Sequence, residues 1–316
     1  MYRYKFMKKI TGLIRQVLFI IILWVCFLNG AYCVQKTSSA QFLTLGSGAR
    51  NAAMGQSGVS GTQSSSDMYW NPAGLVEITN PSLSLMHAAW FADTSYQWAS
   101  FVLPVEEIRA IGFGVQFMNY GNINSYDTTG LKTGELSPND MAISASYSTK
   151  VTNYIDVGAS AKYISSTIKN TATTYAFDAG GIYWVDVNDC NLRVALAVRN
   201  IGGKLKYVNK EENLPETIAA GLCYEITENL QALSDINFPT YSDAYFGTGA
   251  EYTFNLNNEI KLDCRGGYNS LNSNTNGVTN ISAGFGLTYN EYRIDYAFLP
   301  FGDLGSANLI SVNIEF

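Results

Sequence analysis

From about residue 82 to the last residue, apolar and polar positions alternate in short runs divided by polar stretches. Ile111, Phe113, Val115 and Phe117 alternate with Ala110, Gly112, Gly114 and Gln116. Ile155, Val157, Ala159 and Ala161 alternate with Asp156, Gly158, Ser160 and Lys162, and Leu192, Val194, Leu196 and Val198 with Arg193, Ala195, Ala197 and Arg199. Tyr292, Ile294, Tyr296 and Phe298 alternate with Arg293, Asp295 and Ala297, and Ile310, Val312, Ile314 and Phe316 with Ser311, Asn313 and Glu315. Successive side chains of a strand point to opposite faces, so each run predicts a strand with one apolar and one small or polar face. About fourteen strands are expected, near 82–90, 96–103, 109–118, 142–149, 154–164, 175–185, 192–200, 216–226, 229–237, 244–254, 259–268, 280–289, 291–299 and 307–316. The pattern does not assign faces to the first two.

The connections narrow the fold class. Short links (149–153, 185–191, 227–229, 255–258, 290–291) alternate with longer polar ones (119–141, 165–174, 201–215, 238–243, 269–279, 300–306). A soluble β-sandwich has no reason to sort loop lengths by parity. A transmembrane antiparallel barrel does, with short turns at the periplasmic end and long loops outside. The expectation is an all-β barrel whose apolar faces meet lipid and whose other faces fill a lumen. That lumen would hold Asp156, Lys162, Asp178, Arg193, Arg199, Lys261, Asp263, Arg265, Arg293 and Asp295. Buried charges need partners, so ion pairs between strands compete with a ligand role for each of them. Trp90, Tyr120, Tyr147, Tyr163, Tyr183, Trp184, Tyr268 and Tyr289, near strand ends, are candidates for interfacial girdles.

Residues 34–80 break the pattern. They are rich in small residues, with Phe42, Leu45, Met54, Met68, Tyr69, Trp70 and Leu75 among them, more apolar bulk than a linker carries. Ser66 or Asp67 could cap a helical turn, ended by Pro72 and Gly74. Small residues suit backbone packed closely inside something else, so this segment is expected as a luminal plug ahead of a barrel spanning 81–316. Before it, Arg3, Lys5, Lys8, Lys9 and Arg15 precede the apolar run 17–28 and a small-residue site ending at Cys33. This reads as a signal peptide, 1–33, cleaved near Cys33. A lipoprotein signal would need a small residue before Cys33, where Tyr32 stands, and the apolar run is short of the ~20 residues of a spanning helix.

Composition excludes more than it assigns. Loss of residues 1–33 takes five of the 20 Lys and Arg and none of the 26 Asp and Glu, leaving −11. That charge opposes nucleic acid as a partner. The remaining cysteines, Cys190, Cys223 and Cys264, match no disulfide or zinc spacing. One histidine, His87, lies in an expected strand with no Gly-x-Ser-x-Gly elbow, which opposes triad catalysis. No enzyme activity, catalytic residue, metal or cofactor is expected.

The segment Tyr69-Trp-Asn-Pro-Ala-Gly-Leu75, placed between a glycine-rich stretch and a many-stranded barrel, resembles the hatch of FadL-like outer-membrane transport proteins. Leu45-Gly-Ser-Gly-Ala-Arg-Asn-Ala-Ala-Met-Gly55 and Ala197-Val-Arg-Asn-Ile-Gly-Gly-Lys-Leu205 followed by Leu214-Pro215 are most similar to the PorV/PorQ group within that superfamily. The resemblance implies a plug carrying Asn71, Pro72, Ala73 and Gly74 inside the barrel. It also implies Phe316 as part of the signal read by the barrel-assembly machinery. Asp178, Arg193, Arg199, Arg265, Arg293 and Asp295 become the polar lumen candidates. Two roles follow: a PorV-like component of type IX secretion or related export, holding or passing a secreted client protein, or a FadL-like transporter of long-chain fatty acids or other hydrophobic molecules. The compact chain, with loops short for a fatty-acid site, favours the first.

Overall fold

The computed structural model describes residues 38–90, 93–187, 190–207, 210–272 and 279–316; the expected signal peptide, 1–33, lies outside the described residues. Among the described residues there are eighteen strands: β1 (Ser82–Ala89), β2 (Ser95–Glu106), β3 (Arg109–Asn119), β4 (Ile123–Tyr126), β5 (Lys132–Leu136), β6 (Asn139–Thr152), β7 (Ile155–Thr167), β8 (Thr171–Val187), β9 (Cys190–Gly202), β10 (Lys204–Lys206), β11 (Glu211–Asn213), β12 (Thr217–Thr227), β13 (Leu230–Pro239), β14 (Tyr245–Asn255), β15 (Ile260–Asn269), β16 (Ile281–Tyr289), β17 (Tyr292–Pro300) and β18 (Ser306–Glu315). Fourteen of them close into an antiparallel barrel, and β4–β5 and β10–β11 form separate hairpins. The seam pairs β1 with β18, from Ser82↔Glu315 to Ala89↔Asn308. Closure leaves no barrel strand with an unpaired edge, the condition for a sheet to cross lipid.

The wall alternates as the sequence predicts. Phe113, Phe285, Ile294 and Ile310 face outward and are more than half exposed, while their neighbours Gly114, Gly284, Asp295 and Ser311 face inward. Such an apolar outer surface belongs in hydrocarbon, as in a barrel that spans a membrane. No described helix is long and apolar enough to cross a membrane; the chain crosses with strands. The structure also assigns the faces of β1: Ser82, Ser84, Met86 and Ala88 point in, and Leu85 and His87 point out. The imidazole of His87 lies 3.3 Å from Gln97 Nε2 on the outer surface.

Three details differ from expectation. Residues 165–174 are mostly strand: Thr167 pairs with Thr171, because the Ser and Thr residues there suit a ladder that rises past the membrane with two polar faces. The links 119–141 and 201–215 fold into the hairpins β4–β5 and β10–β11. Tyr147, Tyr163, Tyr183, Tyr268 and Tyr289 are exposed on the outer face, but Trp90 and Tyr120 pack against the interior cluster and Trp184 donates its indole N–H to Asp156 at 2.6 Å. Strand parity decides the last case, since Trp184 follows the outward Tyr183.

Residues 38–80 run inside the barrel. They form 3-10 turns at Gln41–Thr44, Ser65–Tyr69 and Pro72–Glu77 and one short helix, α1 (Ala49–Ala53). Irregular backbone is tolerated at membrane depth where protein surrounds it. The Asp67 carboxylate accepts from the N–H groups of Gln63 (2.8 Å) and Ser64 (3.0 Å), fixing the start of the Ser65–Tyr69 turn. Pro72 begins the next turn rather than ending one, because proline lacks only an N–H that a first turn leaves unused.

Candidate functional site: the lumen

Small residues on the wall meet the inner segment wherever its backbone approaches. A Cβ on Gly158 would stand 2.5 Å from the Pro72 carbonyl carbon, and one on Gly249 2.5 Å from Met54 Cα, so no larger residue fits either place. Polar wall groups then take up the segment's backbone. Asp235 Oδ2 accepts from the N–H of Gly58 (2.6 Å) and Val59 (2.9 Å), Ser311 Oγ from Ala49 N–H (2.6 Å), and Asn269 Nδ2 donates to the Gly55 carbonyl (2.8 Å). Asn71 is wholly buried; its amide donates to the Val59 carbonyl (2.9 Å) and its oxygen accepts from Ala73 N–H (3.0 Å), capping the turn that holds Pro72, Ala73 and Gly74. The Asn-Pro-Ala-Gly motif thus shapes the segment and seats it on Gly158 and Gly180.

Toward the short-turn end the lumen is ionic. Arg50 of α1 grips Glu251 through Nε and Nη2, each at 2.9 Å. Glu251 also meets the Nε of Arg265 and, at 3.3 Å, Arg293. Arg265 reaches Asp263 (2.9 Å) and Asp295 (2.8 Å); Arg293 reaches Asp263 (3.1 Å) and Asp295 (3.0 Å). Three guanidinium groups therefore face three carboxylates, and buried charge is balanced, as burial demands. Below them a polar cavity of about 680 Å³ widens toward the short turns, lined by Arg50, Arg293, Lys261 and seven carboxylates: Glu77, Glu228, Glu251, Asp263, Glu291, Asp295 and Glu315.

Toward the long-loop end the lumen is apolar and filled. Phe42, Leu43, Tyr69 and Trp70 pack with Met86, Tyr96, Trp98, Leu205, Leu214 and Leu309, all buried. Tyr69 donates to the Leu43 carbonyl (2.9 Å) and Trp70 to that of Ser47 (3.0 Å), so the aromatic bulk is also hydrogen-bonded. The cavities found there measure about 10 and 20 Å³.

The lumen candidates named from sequence all face inward, but they do not form one site. Arg265, Arg293 and Asp295 meet in the ionic cluster. Asp178 of β8 pairs with Lys162 of β7 (2.6 Å) and accepts from Asn200 N–H of β9 (2.7 Å). Arg193 bonds Thr62 and Cys223, stands 3.5 Å from Glu225 and lies over the Trp184 ring at 5.2 Å. Arg199 stands apart, near the long-loop end, with Tyr69 and Trp70. Phe316 lies at the seam, its N–H donating to the Pro81 carbonyl (2.9 Å) and its ring exposed. Sequence reading missed Glu251 and Asp235, the two carboxylates that hold the inner segment, and the role of Arg50. Glu251 shares a strand face with Gly247 and Gly249, a period-two signal that could have found it.

Comparison with known proteins bears on this lumen. The sequence model of the family described as "Type IX secretion system protein PorV" matches residues 33–237. Among curated proteins no sequence matches. Among solved structures, the Ralstonia pickettii toluene transporter TbuX is similar with a TM-score of 0.61 at 14% identity, covering 86% of this chain and 98% of that one. The Pseudomonas putida toluene transporter TodX gives 0.58 at 14% identity, over 89% and 98%. A Pseudomonas aeruginosa FadL homologue gives 0.55 at 11% identity, over 85% and 98%. At these identities the likeness is one of fold.

Proposed function

The chain belongs to the PorV family, and from that premise we propose that this outer-membrane barrel acts in type IX secretion or a related export route by holding or passing a client polypeptide at its long-loop end. The observation that carries this reading is the sealed lumen. Aromatic and aliphatic side chains of the inner segment fill its outer half, and the cavity of about 680 Å³ in its inner half is polar and acidic. A pore for hydrophobic molecules needs an apolar, ligand-sized space, of about 300 Å³ or more. In the proposed role residues 34–80 are a plug, the barrel is a platform, and recognition is non-covalent throughout. The wall faces outer-membrane lipid, and Phe316 serves the barrel-assembly machinery, so its removal slows membrane assembly; assembly at the normal rate would make it incidental.

The second reading, transport of fatty acids or other hydrophobic molecules, is favoured by the likeness in fold to TbuX and TodX. Affinity purification of the tagged protein from outer membranes, with mass spectrometry of associated proteins and extracted lipids, separates the two. Secreted proteins sharing a C-terminal domain are the expected catch. Hydrophobic ligands without protein partners would replace this proposal with the transporter reading.

A further inference from the structure

Among the described residues, the buried cations of the lumen stand against carboxylates, with one exception. Lys162 meets Asp178, Arg193 meets Glu225, and Arg50, Arg265 and Arg293 share Glu251, Asp263 and Asp295. Arg199 is only 5% exposed, yet among the described residues no carboxylate stands within 4.0 Å of it. Its Nη2 donates to Asn237 Oδ1 at 2.9 Å, and its Nη1 has no hydrogen-bond partner. The rings of Tyr69 and Trp70 lie 5.3 and 5.5 Å from the guanidinium carbon. Cation–π contact offsets part of the cost of burying this charge but leaves the edge of the group unsatisfied. Arg199 lines a pocket of about 10 Å³ near the long loops, to which Thr44, Gln56, Thr217, Tyr241 and Tyr245 also contribute.

We propose that Arg199 anchors a carboxylate-binding site at the long-loop end of the lumen, taking the carboxylate at the end of a flexible chain. The aromatic rings occupy the guanidinium's surroundings, so an anion must approach in the plane of its N–H groups, the geometry a carboxylate accepts. The space admits about one water-sized group. A carboxylate therefore enters as Tyr241, on the connection between β13 and β14, swings aside. A tetrahedral phosphate or sulfate needs more donors than the single free guanidinium nitrogen and a few hydroxyls supply. The carboxylate can belong to a polypeptide C-terminus or to a fatty acid, and the chemistry at Arg199 is the same. This inference is independent of the secretion reading: failure to recover a client leaves it standing, and failure of carboxylate binding leaves the secretion reading standing.

The test uses the full barrel in a neutral detergent and equilibrium dialysis with radiolabelled acetyl-trialanine, its C-terminal amide, dodecanoate and dodecanamide. Saturable binding of a carboxylate but not of its amide is expected, weakened about thirtyfold or more in Arg199→Gln and less in Arg199→Lys, which keeps the charge but not the planar group. Tighter binding of the tripeptide assigns the site to a polypeptide terminus, and tighter binding of dodecanoate to a fatty acid. Acid and amide bound alike, neither bound, or unchanged binding in Arg199→Gln overturns the proposal. Heat-modifiable gel migration checks that the variant barrel folds; where it does not, the acid-against-amide difference in the unsubstituted protein decides.

Discussion

The two halves of the lumen solve one problem, fixing an irregular segment inside a closed barrel, by opposite physical means. In the long-loop half, Phe42, Leu43, Tyr69 and Trp70 are buried among apolar wall residues, and fixing comes from excluded water and packing. In the short-turn half, Arg50 is held by Glu251 within a network of three arginines and three carboxylates beside an open polar cavity. Apolar packing is non-directional and tolerates approximate shape. A buried ion network is directional, and removing one partner leaves an uncompensated charge. In the proposed plug the outer half would therefore be the seal, and the inner half would set where the segment sits.

Deleting residues 40–75 breaks both halves at once and has the largest expected effect. The wall keeps its own ladder, so an insertable barrel remains, and planar-bilayer recordings should show a higher conductance than that of the intact protein; equal conductance would remove the plug role. Glu251→Ala strikes the short-turn half alone. It leaves Arg50, Arg265 and Arg293 facing two carboxylates, one buried positive charge in excess. A loss of about 3–5 kcal/mol is expected in denaturant unfolding of the lipid-inserted barrel. A change near zero would show that water enters the network and screens it.

The outer wall was legible in the sequence because period-two alternation is a local signal: the fourteen barrel strands overlap the expected runs, although the pattern left β1, β2 and β13 without clear faces. The lumen was half legible. Alternation turned Arg193, Arg199, Arg265, Arg293 and Asp295 inward but could not say which charges meet. Arg50 and Glu251 are 201 residues apart, and only closure of the barrel brings them together. Asp235 escaped notice because β13 reads Ser-Asp-Ile-Asn, without a clean apolar face. The hairpin β4–β5 was missed for a different reason. It stands clear of the membrane, largely exposed on both faces, so it has no alternation to read; only the turn residues 127–130, Asp-Thr-Thr-Gly, marked it.

Trp70→Phe probes the long-loop half more gently. The indole's second ring and its donation to the Ser47 carbonyl are both lost at a buried position, so about 2 kcal/mol of destabilisation is expected. Trp70 and Glu251 share no hydrogen bond or ion pair. Combining Trp70→Phe with Glu251→Ala should therefore give additive losses, within about 0.5 kcal/mol. A larger coupling would mean that the inner segment moves as one rigid piece and that the division into halves is only descriptive.

The smallest effect tests whether the outer seal depends on the loops above it. Asp127, in the exposed turn between β4 and β5, accepts from Thr129 Oγ1 (2.6 Å), Thr129 N–H (2.8 Å) and Leu131 N–H (3.0 Å). The Thr129 hydroxyl first, then the Leu131 amide, hold its pKa below the ordinary carboxylate value. A depressed folded-state pKa means that the turn's stabilisation is fully present above the unfolded carboxylate pKa, near 3.9, and is lost as pH falls through the lower folded value. Acidification through that window should raise amide exchange at Thr129 and Leu131, and Asp127→Asn should flatten the pH dependence. Exchange at Leu43 and Trp70 should stay slow throughout, because packing within the barrel, and not the hairpin, seals that half. If those amides open together with the turn, the seal includes the loop, and the boundary between the two halves moves outward to the cell surface.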